Sequence, residues 1–209
     1  MKPNICIDSD ALDRYSVETT NLEMRILRFM AADLGIEQGL LLGAFRGERQ
    51  SASIHQYPPC RHADKVIGIT PHTDGLALTI LLQVDDTPGL QISRDDGGGR
   101  TWFPVRPRPG TFVVNVGDML EVLTNGMYRS VEHRVVITDA EKCRTTIGMF
   151  HEACVDGMVR SIPELLGGAE ARYKSTNRIE FARSLKIWII LNLGIRPSGP
   201  KFTLPGAGA

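Results

Sequence analysis

Apolar residues near the start of the chain recur at helical spacing. Four of them follow the i, i+4, i+7, i+8 pattern of one buried stripe: Leu22, Ile26, Phe29 and Met30. This pattern predicts a helix over residues 11–34, and Gly35 suits the position just beyond a helix C-terminus. A second, shorter helix is predicted over residues 36–45.

From Ser51 onward the pattern changes to short apolar runs separated by proline, glycine and aspartate. The runs TFVVNV (111–116) and RSVEHRVVI (129–137) read as strands, and DDGGG (95–99) reads as a hairpin tip. Asn125-Gly126 predicts a tight hairpin turn. This rhythm is typical of an antiparallel sandwich or barrel. It fades beyond residue 155, where we expect a short helix in SIPELLGG, helical residues within 177–193 and a loosely ordered tail.

Composition narrows the class of protein. The 209 residues suffice for one substantial domain, and the 24 basic and 24 acidic residues cancel, which does not favour a nucleic acid or an anionic membrane as partner. The four cysteines form no close ligand pair, and the first residues do not resemble a signal peptide, so we expect reduced thiols in the cytoplasm. The apolar stretch 185–195 is too short to span a bilayer. We expect a soluble monomer.

The stretch TPHTDGLALTILLQ (70–83) places two ligand-capable side chains beside an apolar run of strand-forming residues. His72 and Asp74 are two residues apart, so in an extended backbone they point to the same side. They could be an ordinary capped strand end, or part of a metal site. His133 is a candidate third ligand, because in SVEHRVV it shares one strand face with two valines. A buried imidazole needs a polar partner, and a metal is one such partner.

Two imidazoles and one carboxylate are the ligand set of the facial triad in non-haem Fe(II) oxygenases. Three protein ligands leave three adjacent coordination positions open, which is enough for a cosubstrate and O2. A zinc hydrolase could use the same three side chains. The ligand set alone therefore does not identify the metal.

A carboxylate-binding group follows in CRTTIGMF (143–150). As a strand, this segment would turn Arg144, Thr146 and Phe150 to the same face. A forked guanidinium beside a hydroxyl suits the capture of a carboxylate through two hydrogen bonds. The alternative is a surface arginine in an edge strand. Tyr57, just before two prolines, could supply another hydroxyl, and its alternative is a packed tyrosine at a strand end.

Taken together, these segments resemble the plant 2-oxoglutarate- and Fe(II)-dependent dioxygenases, a family that includes flavonol synthase, anthocyanidin synthase, gibberellin oxidases and norcoclaurine-synthase-like enzymes. The resemblance runs from about residue 12 to 184 and is dense from 53 to 150. The matching stretches are QYPPC, IGITPHTDGLALTILLQ, PGLQI, PGTFVVNVGDMLEVLTNG, YRSVEHRVV and the Arg144-x-Thr146 pair.

The resemblance implies a mainly β fold, a double-stranded β-helix or jelly roll flanked by helices. It implies Fe(II) bound by His72, Asp74 and His133. In such enzymes O2 and 2-oxoglutarate are converted to CO2 and succinate while a small-molecule substrate is hydroxylated or desaturated. Ascorbate is the expected reductant. The bound metal and cosubstrate carry the difficult step, and the protein orients the substrate.

The resemblance also implies how the cosubstrate is held. Its distal carboxylate would bind Arg144 and the hydroxyl of Thr146, with help from Tyr57, and Phe150 matches a position that lines the substrate pocket in related enzymes. Thr146 departs from the family's usual serine but keeps the hydroxyl. His55 also departs, since the family usually has Asn-Tyr-Tyr before the prolines.

The segments predict a three-part organisation. Residues 1–50 form an N-terminal helical segment, 51–155 the dioxygenase core, and 156–209 a C-terminal helix and tail. Family members have a substantial region ahead of the first helix that this sequence does not contain. Two hypotheses follow: an active dioxygenase, or a truncated member that binds a ligand or partner without turnover.

Overall fold

The computed structural model describes residues 9–45, 49–95, 97, 99–152 and 158–182. The helices are α1 (Ser9–Asp33), α2 (Gln38–Leu42) and α3 (Asp118–Leu123). The strands are β1 (Arg49–Tyr57), β2 (Ile67–His72), β3 (Leu78–Gln83), β4 (Leu90–Asp95), β5 (Arg100–Pro104), β6 (Phe112–Val116), β7 (His133–Val136), β8 (Arg144–Glu152), β9 (Met158–Val159) and β10 (Thr176–Asn177). Single 3₁₀ turns cover Gly43–Phe45, Ala63–Lys65 and Pro163–Leu165.

Two four-stranded antiparallel sheets form the barrel. The first has the order β1-β8-β3-β6 and the second β2-β7-β4-β5, so most neighbouring strands come from distant parts of the chain. This order is that of the double-stranded β-helix implied by the family resemblance, with helices flanking it. A small β9–β10 ladder lies outside both sheets.

The space between the two sheets contains the smaller apolar cluster. Its buried members are Tyr57, Leu90 and Val135, and Leu81 and Ile69 pack against them. Because side chains alternate along a strand, Thr79 and Gln83 of β3 share the inward face of Leu81. The same parity in β8 turns Arg144, Thr146 and Phe150 inward, since Thr146 is the register partner of Gln83 and Phe150 that of Thr79. The inward face therefore mixes apolar and polar side chains.

The larger apolar cluster joins the helices to the outside of the barrel. It is formed by Leu27, Met30, Ala31, Leu41, Phe45, Ala77, Leu78, Met119, Leu120, Val122, Leu123, Val159, Ile162, Tyr173 and Phe181. The buried stripe of helix α1 is rotated about the helix axis relative to the prediction. Phe29 is 72% exposed, and Leu27 is fully buried in its place.

A polar contact explains why α1 takes this rotation. Glu23 of α1 is buried, and its Oε2 lies 2.6 Å from Nδ1 of His151 in β8. One turn earlier, Nε2 of Gln50 in β1 donates to Oγ1 of Thr19 at 3.0 Å. Turning Phe29 inward would rotate Glu23 away from its partner and leave two buried polar groups unpaired, which costs more than exposing one ring.

Part of the outer face of the first sheet is exposed. Ile54, Ile147, Leu82 and Phe112 form one row across β1, β8, β3 and β6. Ile54 is 51% exposed and Phe112 is 40% exposed, whereas in the next row Ile80 and Met149 are buried. The barrel thus has an apolar surface beside the part that α1 covers.

The Asn125-Gly126 hairpin prediction was wrong. Both residues have positive φ, 51° and 78°, as a two-residue type I′ hairpin turn requires. They nevertheless follow helix α3 and end it. The Gly126 N–H donates to the carbonyl of Glu121 at 2.8 Å and so closes the helix C-terminus. A left-handed Asn-Gly pair serves either purpose, and the helical spacing of DMLEVL decides between them.

The short second helix, the β4–β5 hairpin and the helical turn in SIPELLGG are confirmed. Cys60 and Cys143 are free thiols. The apolar stretch 185–195 and the tail lie outside the described residues. Among the residues that the structure describes, no helix combines the length and apolarity needed to cross a bilayer.

The buried Glu23–His151 contact gives a stability prediction. Glu23→Ala leaves the His151 imidazole without its carboxylate partner, so we expect the free energy of unfolding to fall by about 3 kcal/mol. Urea unfolding followed by circular dichroism measures this change. Glu18→Ala, an exposed position of the same helix, is the matched control and should change stability by less than about 0.5 kcal/mol. Equal effects of the two variants would contradict the assigned role of Glu23.

Candidate metal and cosubstrate site

Strand pairing brings the two candidate histidines together. His72, the last residue of β2, is the register partner of His133, the first residue of β7. Their rings lie 4.3 Å apart between centroids and are tilted by 53°. Asp74 follows two residues after His72, and its Oδ1 lies 3.8 Å from Nε2 of His72 and 3.6 Å from Nε2 of His133. One ligand atom from each of the three side chains falls within 4.8 Å of the others.

Backbone carbonyls orient both imidazoles toward Asp74. Nδ1 of His72 lies 2.8 Å from the carbonyl oxygen of Thr70, and Nδ1 of His133 lies 3.1 Å from that of Val131. An Nδ1–H that donates to a carbonyl leaves Nε2 as the free lone pair, which is how metal-binding histidines are usually held. Burial, and then the neighbouring His133, lower the pKa of His72 from its ordinary value. His72 is therefore neutral near pH 7, as a metal ligand must be.

These three side chains fit a metal ion. A first-row metal lies about 2.1 Å from nitrogen and oxygen ligands, so adjacent ligand atoms of a bound ion are about 3.0 to 3.4 Å apart. The separations of 3.6 and 3.8 Å are slightly longer, so small side-chain shifts would bring the three ligand atoms onto an ion. Two imidazoles and one carboxylate on one side of an ion are the donor set of the Fe(II) facial triad.

The turn that carries Asp74 is clamped against the start of α3. The Asp118 N–H donates to the carbonyl of Asp74 at 2.7 Å, and Oγ1 of Thr73 donates to Oδ2 of Asp118 at 2.9 Å. Gly117 makes this close approach possible. A Cβ at that position would lie 1.9 Å from the carbonyl oxygen of Leu76, which no side chain can occupy.

A buried arginine lies on the inward face of β8. Arg144 is 3% exposed, and its Nη2 donates to Oε1 of Gln83 at 3.2 Å. Gln83 is fixed in turn, because its Nε2 donates to the carbonyl of Thr87 at 2.5 Å. The Nε of Arg144 is buried and has no hydrogen-bond acceptor among the described residues. A buried charged donor without an acceptor is costly, so an anionic ligand at this position fits the site.

Tyr57 completes the surroundings of the guanidinium. It is the register partner of Arg144, and the guanidinium carbon lies 5.2 Å from the centroid of its ring. Burial raises the pKa of the Tyr57 hydroxyl, and the Arg144 charge partly opposes that rise. Tyr57 is therefore a neutral hydroxyl that can donate a hydrogen bond to a carboxylate. The packed-tyrosine alternative is also correct, since its ring belongs to the barrel core.

Thr146 and Phe150 share the inward face with Arg144. Thr146 is 1% exposed. The Phe150 ring folds back over Gly148, where an added Cβ would lie 3.0 Å from a ring carbon. A glycine at 148 therefore lets the ring lie against the strand. The structure brings all the predicted site residues to the inward face of the barrel or its edge. The alternative of a surface arginine at position 144 was wrong, because Arg144 is buried.

Three residues that contact the metal-ligand and arginine segments were not identified from the sequence. Gln83 orients Arg144, Gly117 admits the Asp74 turn, and Thr79 donates from Oγ1 to Oδ2 of Asp74 at 2.7 Å. Thr79 could have been found from parity, because an inward-facing hydroxyl in the otherwise apolar LALTILL needs a partner. The role of Gly117 depends on a contact between distant segments, which no local pattern carries.

Comparisons with known proteins agree with this geometry. Residues 48–153 match the family described as the 2OG-Fe(II) oxygenase superfamily, and the chain belongs to that family. It is 36% identical over 175 residues to "2-oxoglutarate-dependent dioxygenase 11" of Oryza sativa subsp. japonica, covering 84% of this chain and 48% of that protein. It is 43% identical over 155 residues to "Protein SRG1" of Arabidopsis thaliana, covering 73% and 41%.

A solved structure shows the same fold. JOX2, in complex with 2OG, Fe and JA, superposes with a TM-score of 0.78 at 28% identity, covering 94% of this chain and 56% of that one. The chain therefore has the fold of a 2-oxoglutarate oxygenase. It spans about half the length of the curated relatives it matches.

The clamp at Gly117 predicts a sharp difference between two glycine substitutions. Gly117→Ala forces a methyl group into the Leu76 carbonyl, so we expect a loss of at least about 2 kcal/mol in the free energy of unfolding. Gly43→Ala is the matched control, because nothing lies within 4 Å of its added Cβ and its φ of −59° is helical. Thermal unfolding of both variants tests the clamp, and equal melting temperatures would contradict it.

Proposed function

We propose that this chain carries the catalytic core of an Fe(II)- and 2-oxoglutarate-dependent dioxygenase. The proposal rests on one observation: a candidate metal triad and a buried arginine lie within the same barrel. A triad of His72, Asp74 and His133 suits a redox metal, and the buried Arg144 has an unused donor that suits a carboxylate. A metal with an anion-binding arginine beside it is what a keto acid cosubstrate requires.

Each protein group then has a defined task. His72, Asp74 and His133 would hold Fe(II) through one ligand atom each. Arg144, Thr146 and Tyr57 would hold the distal carboxylate of 2-oxoglutarate, with Gln83 keeping the guanidinium in place. The bound iron and 2-oxoglutarate would supply the electrons that activate O2, the oxidant, for attack on a C–H bond.

We propose a small plant specialised metabolite or hormone as the substrate, hydroxylated or desaturated with release of succinate and CO2. The support is the set of relatives, which are plant 2-oxoglutarate-dependent dioxygenases. JOX2, which has the same fold, is a complex with 2OG, Fe and JA, so a protein of this fold binds such a ligand together with the metal and cosubstrate. The inward Phe150 ring offers an apolar contact for a substrate. Ascorbate is the proposed reductant, and the cytoplasm the proposed location.

The exposed outer row of the first sheet favours a second candidate function. Ile54 and Phe112 leave an apolar surface that could bind a partner, as a family member without turnover would. Purified chain supplied with Fe(II), ascorbate and 2-oxoglutarate separates the two. Metal-dependent succinate release supports the dioxygenase, whereas tight association without succinate release supports the binding protein.

A zinc hydrolase would use the same three ligands. The buried guanidinium argues against it, because hydrolysis needs no keto acid and so no carboxylate clamp beside the metal. Metal analysis after anaerobic purification tests this directly: we expect iron, and stoichiometric zinc with hydrolytic turnover would contradict the proposal.

The triad gives a prediction for metal binding. His133→Ala removes one of three ligands, so we expect the variant to show no measurable Mn(II) binding at concentrations that saturate the wild-type chain. Electron paramagnetic resonance measures the binding. Mn(II) serves as an air-stable substitute for Fe(II) in this donor set. His62→Ala removes an exposed histidine and is the matched control. Unchanged Mn(II) binding by His133→Ala would contradict the assigned site.

The guanidinium gives a separate prediction for the cosubstrate. Arg144→Gln removes two charge-assisted hydrogen bonds, each contributing about 1.5 to 3 kcal/mol. We therefore expect the Kd of 2-oxoglutarate to rise about 100-fold or more, measured by calorimetry on Mn(II)-loaded protein. Mn(II) affinity should stay near that of wild type.

Arg134→Gln is the matched control for that experiment. Arg134 lies over the Trp102 ring, 4.2 Å from its centroid, and donates from Nε to Gln91, so its guanidinium is already engaged outside the site. An equal loss of 2-oxoglutarate binding in both variants would show that Arg144 is not the specific anchor.

A further inference from the structure

The two carboxylate oxygens of Asp74 have different surroundings. Oδ1 lies within 3.8 Å of Nε2 of both His72 and His133. Oδ2 accepts a hydrogen bond of 2.7 Å from Oγ1 of Thr79. One oxygen therefore faces the metal position, while the other is already engaged by the protein.

The position of Thr79 is fixed by the sheet. It is the second residue of β3 and is 3% exposed. Asn115 of β6 and Phe150 of β8 are its register partners on the two sides. A β-branched side chain has few χ1 rotamers, so a threonine between two paired strands holds its hydroxyl in one direction. The hydroxyl is a fixed donor rather than a mobile surface group.

The coordination mode of Asp74 matters for the metal. Carboxylates bind metals through one oxygen or through both. If both oxygens of Asp74 bound, the protein would occupy four positions of a six-coordinate ion. Only two positions would remain, and a chelating keto acid would fill them without leaving one for O2.

We propose that Thr79 is a positioning residue. Its hydroxyl donates a hydrogen bond to Oδ2 and so restricts Asp74 to a single metal-bound oxygen. This inference rests on the proposed function and deepens it. Thr79 touches neither metal nor cosubstrate in this role, and acts through the orientation of the carboxylate. Hydrogen-bond partners of metal ligands commonly change affinity by about 10- to 100-fold when they are removed.

Two variants separate a positioning role from a packing role. Thr79→Val keeps the branched shape and removes the hydroxyl, whereas Thr79→Ser keeps the hydroxyl and removes a methyl group. Thr176→Val is the matched control, because Thr176 is a buried threonine of β10, outside both barrel sheets. Each protein is titrated with Mn(II), and each Co(II)-loaded form is examined by visible absorption, which reports coordination geometry.

We expect Thr79→Val to weaken Mn(II) binding about 10-fold and to change the Co(II) absorption bands. Thr79→Ser should restore both measurements to near the wild-type values, and Thr176→Val should leave them unchanged. Urea unfolding of the apo proteins shows whether each variant is folded.

Three outcomes would overturn the inference. A folded Thr79→Val with wild-type Mn(II) affinity and Co(II) bands would show that the hydroxyl does not position Asp74. A Thr79→Ser variant as impaired as Thr79→Val, in metal binding or in folding, would assign Thr79 to packing. If the wild-type chain itself bound no Mn(II), the proposed metal site would fail, and the inference with it.

Discussion

The pairing of β2 with β7 is the constraint on which the site depends. It places His72 directly opposite His133, so two imidazoles from segments 61 residues apart meet at one edge of a sheet. A shift of either strand by one residue would turn its histidine to the opposite face of the sheet. The β4–β7 ladder, in which Ile92 lies opposite His133, and the carbonyls of Thr70 and Val131 hold this register and orient the rings. The metal site is therefore a consequence of sheet register.

The barrel interior also carries polar groups that the protein itself only partly satisfies. Gln83 engages one nitrogen of Arg144 and Thr79 engages one oxygen of Asp74. Nε of Arg144 has no acceptor among the described residues, and Oδ1 of Asp74 lies near the two imidazoles. Buried polar atoms are normally paired, so a barrel that leaves a guanidinium Nε and a carboxylate oxygen available is arranged for ligands. The apolar cluster that includes Leu90 and Val135 lies in the same interior, between the two sheets.

Much of the site could be predicted from the sequence, because strand parity and ligand chemistry are local. The alternation around His133 and in CRTTIGMF correctly indicated which side chains turn inward. One prediction failed because a distant contact decides the outcome: Phe29 is exposed because Glu23 must reach His151. The Asn125-Gly126 prediction failed for a local reason, because the helix over residues 118–123 precedes the pair. Gly117 was missed because its role depends on a contact between distant segments, whereas strand parity could have indicated Thr79.

We propose that metal and 2-oxoglutarate share one site inside the barrel. An anaerobic titration of Fe(II)-loaded protein with 2-oxoglutarate, followed by visible absorption, tests this. We expect a charge-transfer band that saturates at one equivalent, because the keto acid end would bind iron while Arg144 holds the other end. Saturable 2-oxoglutarate binding that produces no such band and is unchanged when iron is removed would contradict it.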